Sequence, residues 1–523
     1  MSRPNFLLFV TDQQRADHLG CYGNPVVATP HVDALAKEGC VFDEFHVASP
    51  ICQPNRASLM TGRMPSAHGV AMNGRELSFG ETSFVEMLRA AGYRTGLVGK
   101  AHLQNITTAP APWPGAGQRL PVDARRRFPG VYGQEVRKRW EDDPGFDLAL
   151  PYYGFERVAL TIGHADQQYG HWRRWLRAQT PDAERLIGPE NAIPTPGLKL
   201  ARLRQAWRTR VPEELYPTAY IAGRTCELLS EFAGQGQPFF LQCSFPDPHH
   251  PFTPPGSFWD LYRPQDMDLP PSFHARLGDP PPPVAHLRAA RDRGQAGRSG
   301  HAAFACDEQE AREGLALNYG NIACVDAAVG RVLAQLRALG LDQDTVVLFT
   351  SDHGELLGDR QLMLKGGLHY RALTRVPLVW RDTAERRRAG RSQALAQTTD
   401  IAATVLGRAG LAPANGMHGR SLLDLIEGRA ERGRERLVVE EEGQRADFGL
   451  ARRNRLRSLL TGRHRLTIYD GQPWGELYDL QEDPLELSNL WRRAPALRAE
   501  LSAQLAYAML ELADTSPYPE ASA

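Results

Sequence analysis

Cys52-Gln53-Pro54-Asn55-Arg56 runs on into Ala57-Ser58-Leu59-Met60-Thr61-Gly62-Arg63 and sets a sulfur nucleophile four residues ahead of a guanidinium. Pro54 suits the first turn of a helix, where its missing N–H costs nothing, and residues 57–60 continue as good helix formers. Residue 52 therefore falls at a helix N-terminus, where unpaired N–H groups and the macrodipole favour an anion. A sulfate or phosphate ester is the kind of group such a position receives. Four more clusters carry acid–base or metal-ligating side chains: Asp12-Gln13, Lys100-Ala101-His102, His249-His250 and Asp352-His353. Taken together, carboxylates, imidazoles and ammoniums make a metal and acid–base constellation.

Each of these four clusters closes an apolar run. Residues 5–10, 94–98, 238–245 and 345–350 read as buried strands, and their polar successors sit where open α/β sheets bind ligands, at the carboxyl ends. Between them lie helical stretches: 30–36 with Thr29 as cap and Pro30 at the first position, 84–90 stopped by Gly92, and a long amphipathic helix over 322–339. The alternation predicts an α/β fold, a large mostly parallel or mixed sheet sandwiched by helices. Residues 105–150 and 270–305 are rich in Pro, Arg and Gly without clear periodicity and read as surface excursions or lids. After about residue 430 the pattern shortens to strands at 456–460, 464–469 and 476–480, a small C-terminal antiparallel subdomain. The expected organisation is a catalytic α/β domain over 1–430, with excursions near 105–200 and 265–305, and a small α+β subdomain over 431–523. No internal repeat is present.

Composition bounds the partners. The 523 residues are 42% hydrophobic, enough for a large core, and 61 basic residues balance 61 acidic ones. No global field points to nucleic acid or to an acidic membrane. The first residues offer only the run 6–10 as an apolar segment, too short for a signal core, and no stretch reaches transmembrane length. Seven scattered cysteines do not read as a disulfide framework. A cytoplasmic location is the expectation, with no membrane partner and a homo-oligomer left open.

Cys52-x-Pro54-x-Arg56 with the Thr61-Gly62-Arg63 tail resembles the signature at which sulfatases have a cysteine oxidised to formylglycine. Chance delivers about 0.06 Cys-x-Pro-x-Arg pentapeptides in a chain of this composition, so the match carries weight. The opening Asn5-Phe6-Leu7-Leu8-Phe9-Val10-Thr11-Asp12, then Val98-Gly99-Lys100-x-His102, Pro248-His249-His250-Pro251 and Ser351-Asp352-His353-Gly354-Glu355, look like the sulfatase branch of the alkaline phosphatase superfamily and stand in its order. Weaker matches at 400–404 and 476–484 extend the likeness through most of the chain, excepting roughly 105–200 and 265–305.

That resemblance implies one divalent cation held by Asp12, Gln13, Asp352 and His353, with residue 52 completing the set. Gln13 and His353 stand where the commonest sulfatases carry Asp and Asn. Ca²⁺ is the family's ion, while the imidazole suits Mn²⁺. Gln and His also occur here in phosphonate monoester hydrolases and choline-sulfatase-like relatives. The implied cofactors are thus a Ca²⁺ or Mn²⁺ ion and a Cys52-derived formylglycine made by a formylglycine-generating enzyme. The implied mechanism hydrates that aldehyde to a geminal diol, one hydroxyl of which attacks sulfur while Asp352 takes its proton. Arg56 orients the diol, Lys100 and Lys365 hold the sulfuryl oxygens, and His249 or Lys365 protonates the leaving oxygen. His102 deprotonates the second hydroxyl and so releases sulfate. Only five of the 61 basic residues are lysines, and two of the five fall on the family's active-site positions. Asn73 lies where related hydrolases bind substrate. His164, His171 and Trp172 are candidates for the leaving-group pocket, with an ordinary cap role preferred. The leading expectation is hydrolysis of a small-molecule sulfate monoester, such as an aryl sulfate. A phosphonate monoester or phosphodiester hydrolase using the same diol is the alternative, and a non-catalytic scaffold the third reading.

Overall fold

The computed structural model describes residues 3–112, 124, 126–294, 300–444 and 446–517. At its centre nine strands lie in the order Gly390–Ser392, Cys40–Phe42, Leu378–Arg381, Thr345–Ser351, Asn5–Thr11, Phe239–Ser244, Arg94–Gly99, Arg157–Ile162 and Tyr169–Gly170. The five strands from Thr345–Ser351 to Arg157–Ile162 run parallel. Leu378–Arg381 is antiparallel to both its neighbours, and Tyr169–Gly170 to Arg157–Ile162, so the sheet is mixed.

The apolar runs are continuous because both faces are covered. Leu7 and Phe9 pack with Leu241, Val347 and Phe349 on one face, under helices Pro217–Ala233 and Glu308–Ala338. Phe6, Leu8 and Val10 pack with Phe240, Val346 and Leu348 on the other, under Phe84–Ala90 and Asp400–Arg408. Alternate residues of one strand thus feed opposite cores. Each such side chain contributes about 1.5–3 kcal/mol by leaving water.

All four predicted strand ends are present. Two local expectations change. The long helix is Glu308–Ala338, starting well before 322, because Asp307 and Glu310 form a capping box ahead of the apolar stretch that signalled it. Thr29 does not cap its helix: its hydroxyl accepts the Gly20 N–H and donates to Asp33, while Asp326 takes the N–H groups of His31 and Val32. The excursions hold more structure than composition suggested, including Arg137–Asp142, strand Arg157–Ile162 and Pro282–Asp292. Residues 113–123, 125 and 295–299 of those excursions lie outside the described residues.

The C-terminal sheet has four antiparallel strands, Arg436–Glu442, Arg455–Thr461, His464–Tyr469 and Gly475–Asp479. Its first strand escaped prediction because it ends in the charged run Glu440-Glu441-Glu442. Helix Pro495–Glu511 covers the sheet through Leu501, Leu505 and Ala508. The sheet also reaches the site: Glu440 N donates to the Ala48 carbonyl at 2.9 Å, ahead of Cys52, and Glu441 accepts Gly367 N–H at 2.6 Å, just after Lys365. All seven cysteines are free. Among the described residues no helix is long and apolar enough to cross a membrane.

Candidate active site

Helix Cys52–Thr61 begins on Cys52 and is buried along its whole length, so the thiol meets the carboxyl edge of the sheet rather than solvent. Cys52 Sγ lies 3.0 Å from His353 Nε2, 3.1 Å from Lys365 Nζ and 3.7 Å from Asp12 Oδ1. Burial and the Asp12 charge push this thiol up, but Lys365, His353 and Lys100 outweigh them and bring it below the ordinary cysteine range.

Backbone bonds between adjacent strand ends set the register of the floor. Asp352 N donates to Thr11 O at 3.1 Å, and Lys100 N to Ser244 O at 3.0 Å. Gly99 makes the second bond possible: at φ 103° a Cβ would collide with the Ser244 carbonyl. Gln13 and His102 both adopt left-handed backbone, φ 64° and 52°, at a cost of about 1–3 kcal/mol each. Side chains hold them there. Gln13 N donates to Asp352 Oδ1 at 3.1 Å, and His102 N to Glu135 Oε2 at 2.8 Å.

Asp12, Cys52, Asp352 and His353 present donor atoms within 4.8 Å of one another, all buried. Two further observations fit this group to a divalent cation. His353 Nδ1 lies 2.9 Å from the Gly354 carbonyl, which holds the proton on Nδ1 and turns Nε2 toward the cluster as the nitrogen a cation would take. Gln13 Nε2 is spent on Glu355 and on His250 Nδ1 at 3.0 Å, which turns its carbonyl oxygen inward. Lys365 Nζ marks the point of convergence, 2.9 Å from Gln13 Oε1 and 2.8 Å from His353 Nε2. The donor set of two carboxylates, an amide oxygen and an imidazole suits Ca²⁺ less well than Mn²⁺ or a similar ion.

Arg56 ties these ligands together. Its Nε donates to Asp352 Oδ2 at 2.7 Å, Nη1 donates to Lys100 O at 2.9 Å and Ser244 Oγ at 3.0 Å, and Nη2 lies 3.7 Å from Asp12 Oδ2. No hydrogen bond joins it to the Cys52 thiol, and its Nη2 is buried without a hydrogen-bond partner. Lys100 Nζ pairs with Asp12 and lies 2.8 Å from His164 Nε2. Burial raises Asp12, yet the Lys100 and Arg56 charges hold it well below the usual carboxylate range.

His249 Nε2 lies 2.9 Å from Lys365 Nζ, while its Nδ1 faces the His250 carbonyl. A proton on Nδ1 leaves Nε2 an acceptor, and burial, His164 and Lys365 hold the imidazole well below its ordinary value. His102 lines the cavity that opens above Cys52, with a buried Nδ1 that has no hydrogen-bond partner. Burial and Lys100 keep it neutral. Asn73 is brought to the site but spends Oδ1 on Gln53 N–H at 3.1 Å, capping the helix that carries Cys52.

Glu135 and His301 were not anticipated, and His164, expected in the leaving-group pocket or the cap, joins the floor as well as lining the cavity. His164, reached from strand Arg157–Ile162, stacks on His249 with centroids 3.7 Å apart. It belongs to the floor, while His171 bonds Leu160 N and Trp172 is core, donating to Leu215 O. Glu135 accepts the N–H groups of His102, Leu103 and Gln104 and the Tyr152 hydroxyl, so it shapes the loop that presents His102. His301 Nδ1 lies 3.0 Å from His250 Nε2. The signal for His164 was legible: the apolar run 158–162 ends in Gly163-His164, as the other strands end in polar residues.

The mixed sheet and the polar groups gathered at its carboxyl edge define a hydrolase of the alkaline phosphatase superfamily. The family profile described as Sulfatase matches residues 4–411, and one described as N-sulphoglucosamine sulphohydrolase, C-terminal, matches residues 360–515. The chain belongs to the sulfatase family, a family of sulfuric ester hydrolases. It is 26% identical to an arylsulfatase of Clostridium perfringens, over 93% of this chain and 90% of that one. It is 29% identical to the multifunctional alkaline phosphatase superfamily protein PehA of Trinickia caryophylli, over 84% and 80%. Among solved structures, the phosphonate monoester hydrolase of Agrobacterium radiobacter superposes with a TM-score of 0.75 at 27% identity, covering 98% of this chain and 97% of that one.

Proposed function

We propose that this enzyme hydrolyses sulfate monoesters with residue 52 converted to formylglycine and one divalent cation held by Asp12, Gln13, Asp352 and His353. The observation that carries the reading is the placement of Cys52 on a helix N-terminus between Lys365, His353 and Asp12. Neither disulfide bonding nor free exposure explains a cysteine buried in such company. The cation, when bound, supplies Lewis-acid polarisation, and the hydrated aldehyde supplies the attacking hydroxyl.

The chain's own groups do the rest. Arg56 and the Gln13 N–H fix both oxygens of Asp352, which accepts the proton of the attacking hydroxyl. Lys100 and Lys365 offer ammonium hydrogens to the sulfuryl oxygens, where charge develops. Lys365 carries the proton for the leaving oxygen, and the His249 lone pair accepts a hydrogen bond from Nζ that orients it. His102, with an unpartnered ring nitrogen, is the base that lets the second hydroxyl collapse and release sulfate.

The likeness to the Agrobacterium structure favours a second reading, phosphonate monoester or phosphodiester hydrolysis on the same floor. A substrate panel separates them. With enzyme co-produced with a formylglycine-generating enzyme and loaded with Mn²⁺ or Ca²⁺, kcat/KM is expected to be highest for 4-nitrophenyl sulfate. Higher values for 4-nitrophenyl phenylphosphonate or bis(4-nitrophenyl) phosphate would overturn the sulfatase assignment in favour of the second.

A further inference from the structure

Above residue 52 opens a cavity of about 1640 Å³, whose lining, among the described residues, holds the fixed cations Arg75, Arg127, Arg137 and Lys365 and a single carboxylate, Glu76. Glu76 is already taken, by Arg127 at 2.9 Å and by Gly133 N–H at 2.8 Å. An alcohol carrying an ammonium group would find no free counter-charge among these described residues.

Arg137 is the wall residue with charge to spare. It is half-buried, its Nε is sealed from solvent without a hydrogen-bond partner, and no carboxylate pairs with it among the described residues. Its backbone is anchored, N to Ile106 O at 3.1 Å, and its guanidinium carbon lies 5.6 Å from the Tyr169 ring centroid. Nη2 stands 3.3 Å from where a Cβ on Gly163 would be, so the absence of a side chain there makes room for the guanidinium beside His164. Burial draws its pKa below the ordinary arginine value, and nearby Tyr169 and Glu141 do not make up the loss. Buried guanidiniums are normally paired, and their planar fork matches a carboxylate in two hydrogen bonds.

We propose that Arg137 binds a carboxylate on the leaving-group side of the substrate, so that the enzyme selects sulfate esters of acidic alcohols over neutral or cationic ones. This rests on the sulfatase reading above. The test compares 3-carboxyphenyl sulfate with its methyl ester, which share the reacting group and differ in the charge offered to Arg137. Wild-type enzyme is expected to prefer the acid. In Arg137→Met the acid-to-ester ratio of kcat/KM falls by about tenfold or more, and Arg137→Lys recovers part of it. Equal turnover of the two esters by wild type, preference for choline sulfate, or a parallel loss on both esters in Arg137→Met would overturn the proposal. If no sulfate ester is turned over, the sulfatase reading fails by itself. The same acid and ester pair, made as phenylphosphonate monoesters, then measures the Arg137 ratio.

Discussion

Arg56 and Arg137 show two ways of burying a guanidinium around one reaction centre. Arg56 lies beneath the cavity, ion-paired to Asp352 and Asp12 and bonded to the backbone of a third strand end. Arg137 stands in the wall with an anchored backbone and, among the described residues, no carboxylate in an ion pair with it. On the floor the carboxylates are matched within the chain: Lys100 against Asp12, Arg56 against Asp352. The wall leaves cationic charge over. A floor whose carboxylates are so matched keeps its geometry whatever substrate enters, which suits the groups that break the bond. Unbalanced charge is completed only by a ligand, which suits the groups that choose it.

That difference can be broken most severely from the floor. Asp352→Ala removes a carboxylate of the proposed cation site and strands Arg56 in a buried site. Activity is expected to fall by roughly 10³- to 10⁴-fold on every substrate, and stability by about 3–5 kcal/mol. Asp352→Asn keeps the shape and guards against simple misfolding. Both variants should lose bound metal by elemental analysis, and full metal occupancy in Asp352→Asn would remove Asp352 from the ligand set.

A smaller effect isolates the second half of the reaction. His102→Ala is expected to lower steady-state turnover by roughly 10²- to 10³-fold while leaving a burst of released alcohol. The ester on residue 52 should then accumulate and be visible by intact mass. Equal loss of burst and steady state without an adduct would take the second proton transfer away from His102. The Arg137 exchange, at about tenfold on one substrate of a pair, is the smallest of the three, and it should change selectivity with no loss of metal.

How much of this was legible in the sequence follows the same division. The floor was readable because buried parallel strands are uninterrupted apolar runs, so the residues that end them, Asp12, Lys100, His249 and Asp352, stand out and share one edge. His164 obeys the same rule on a fifth strand but lies in a segment with no motif beside it. Glu135 had no signal. Only the fold returns a carboxylate from an irregular stretch, 33 residues downstream of His102, to hold that residue's loop. Glu355 was visible in Ser351-Asp352-His353-Gly354-Glu355, but its work, turning the Gln13 amide so that oxygen faces the cluster, is a matter of side-chain orientation. The cavity wall was least legible, because an unpaired arginine is recognised by the partners it lacks, and pairing is a property of three dimensions.

The central claim is that residue 52 is the nucleophile after conversion to formylglycine, and peptide mass spectrometry of active enzyme addresses it directly. The peptide spanning residue 52 is expected about 18 Da lighter than its encoded thiol form, with activity across preparations rising in proportion to the converted fraction. A preparation that is fully active while residue 52 remains an unmodified thiol would contradict the account.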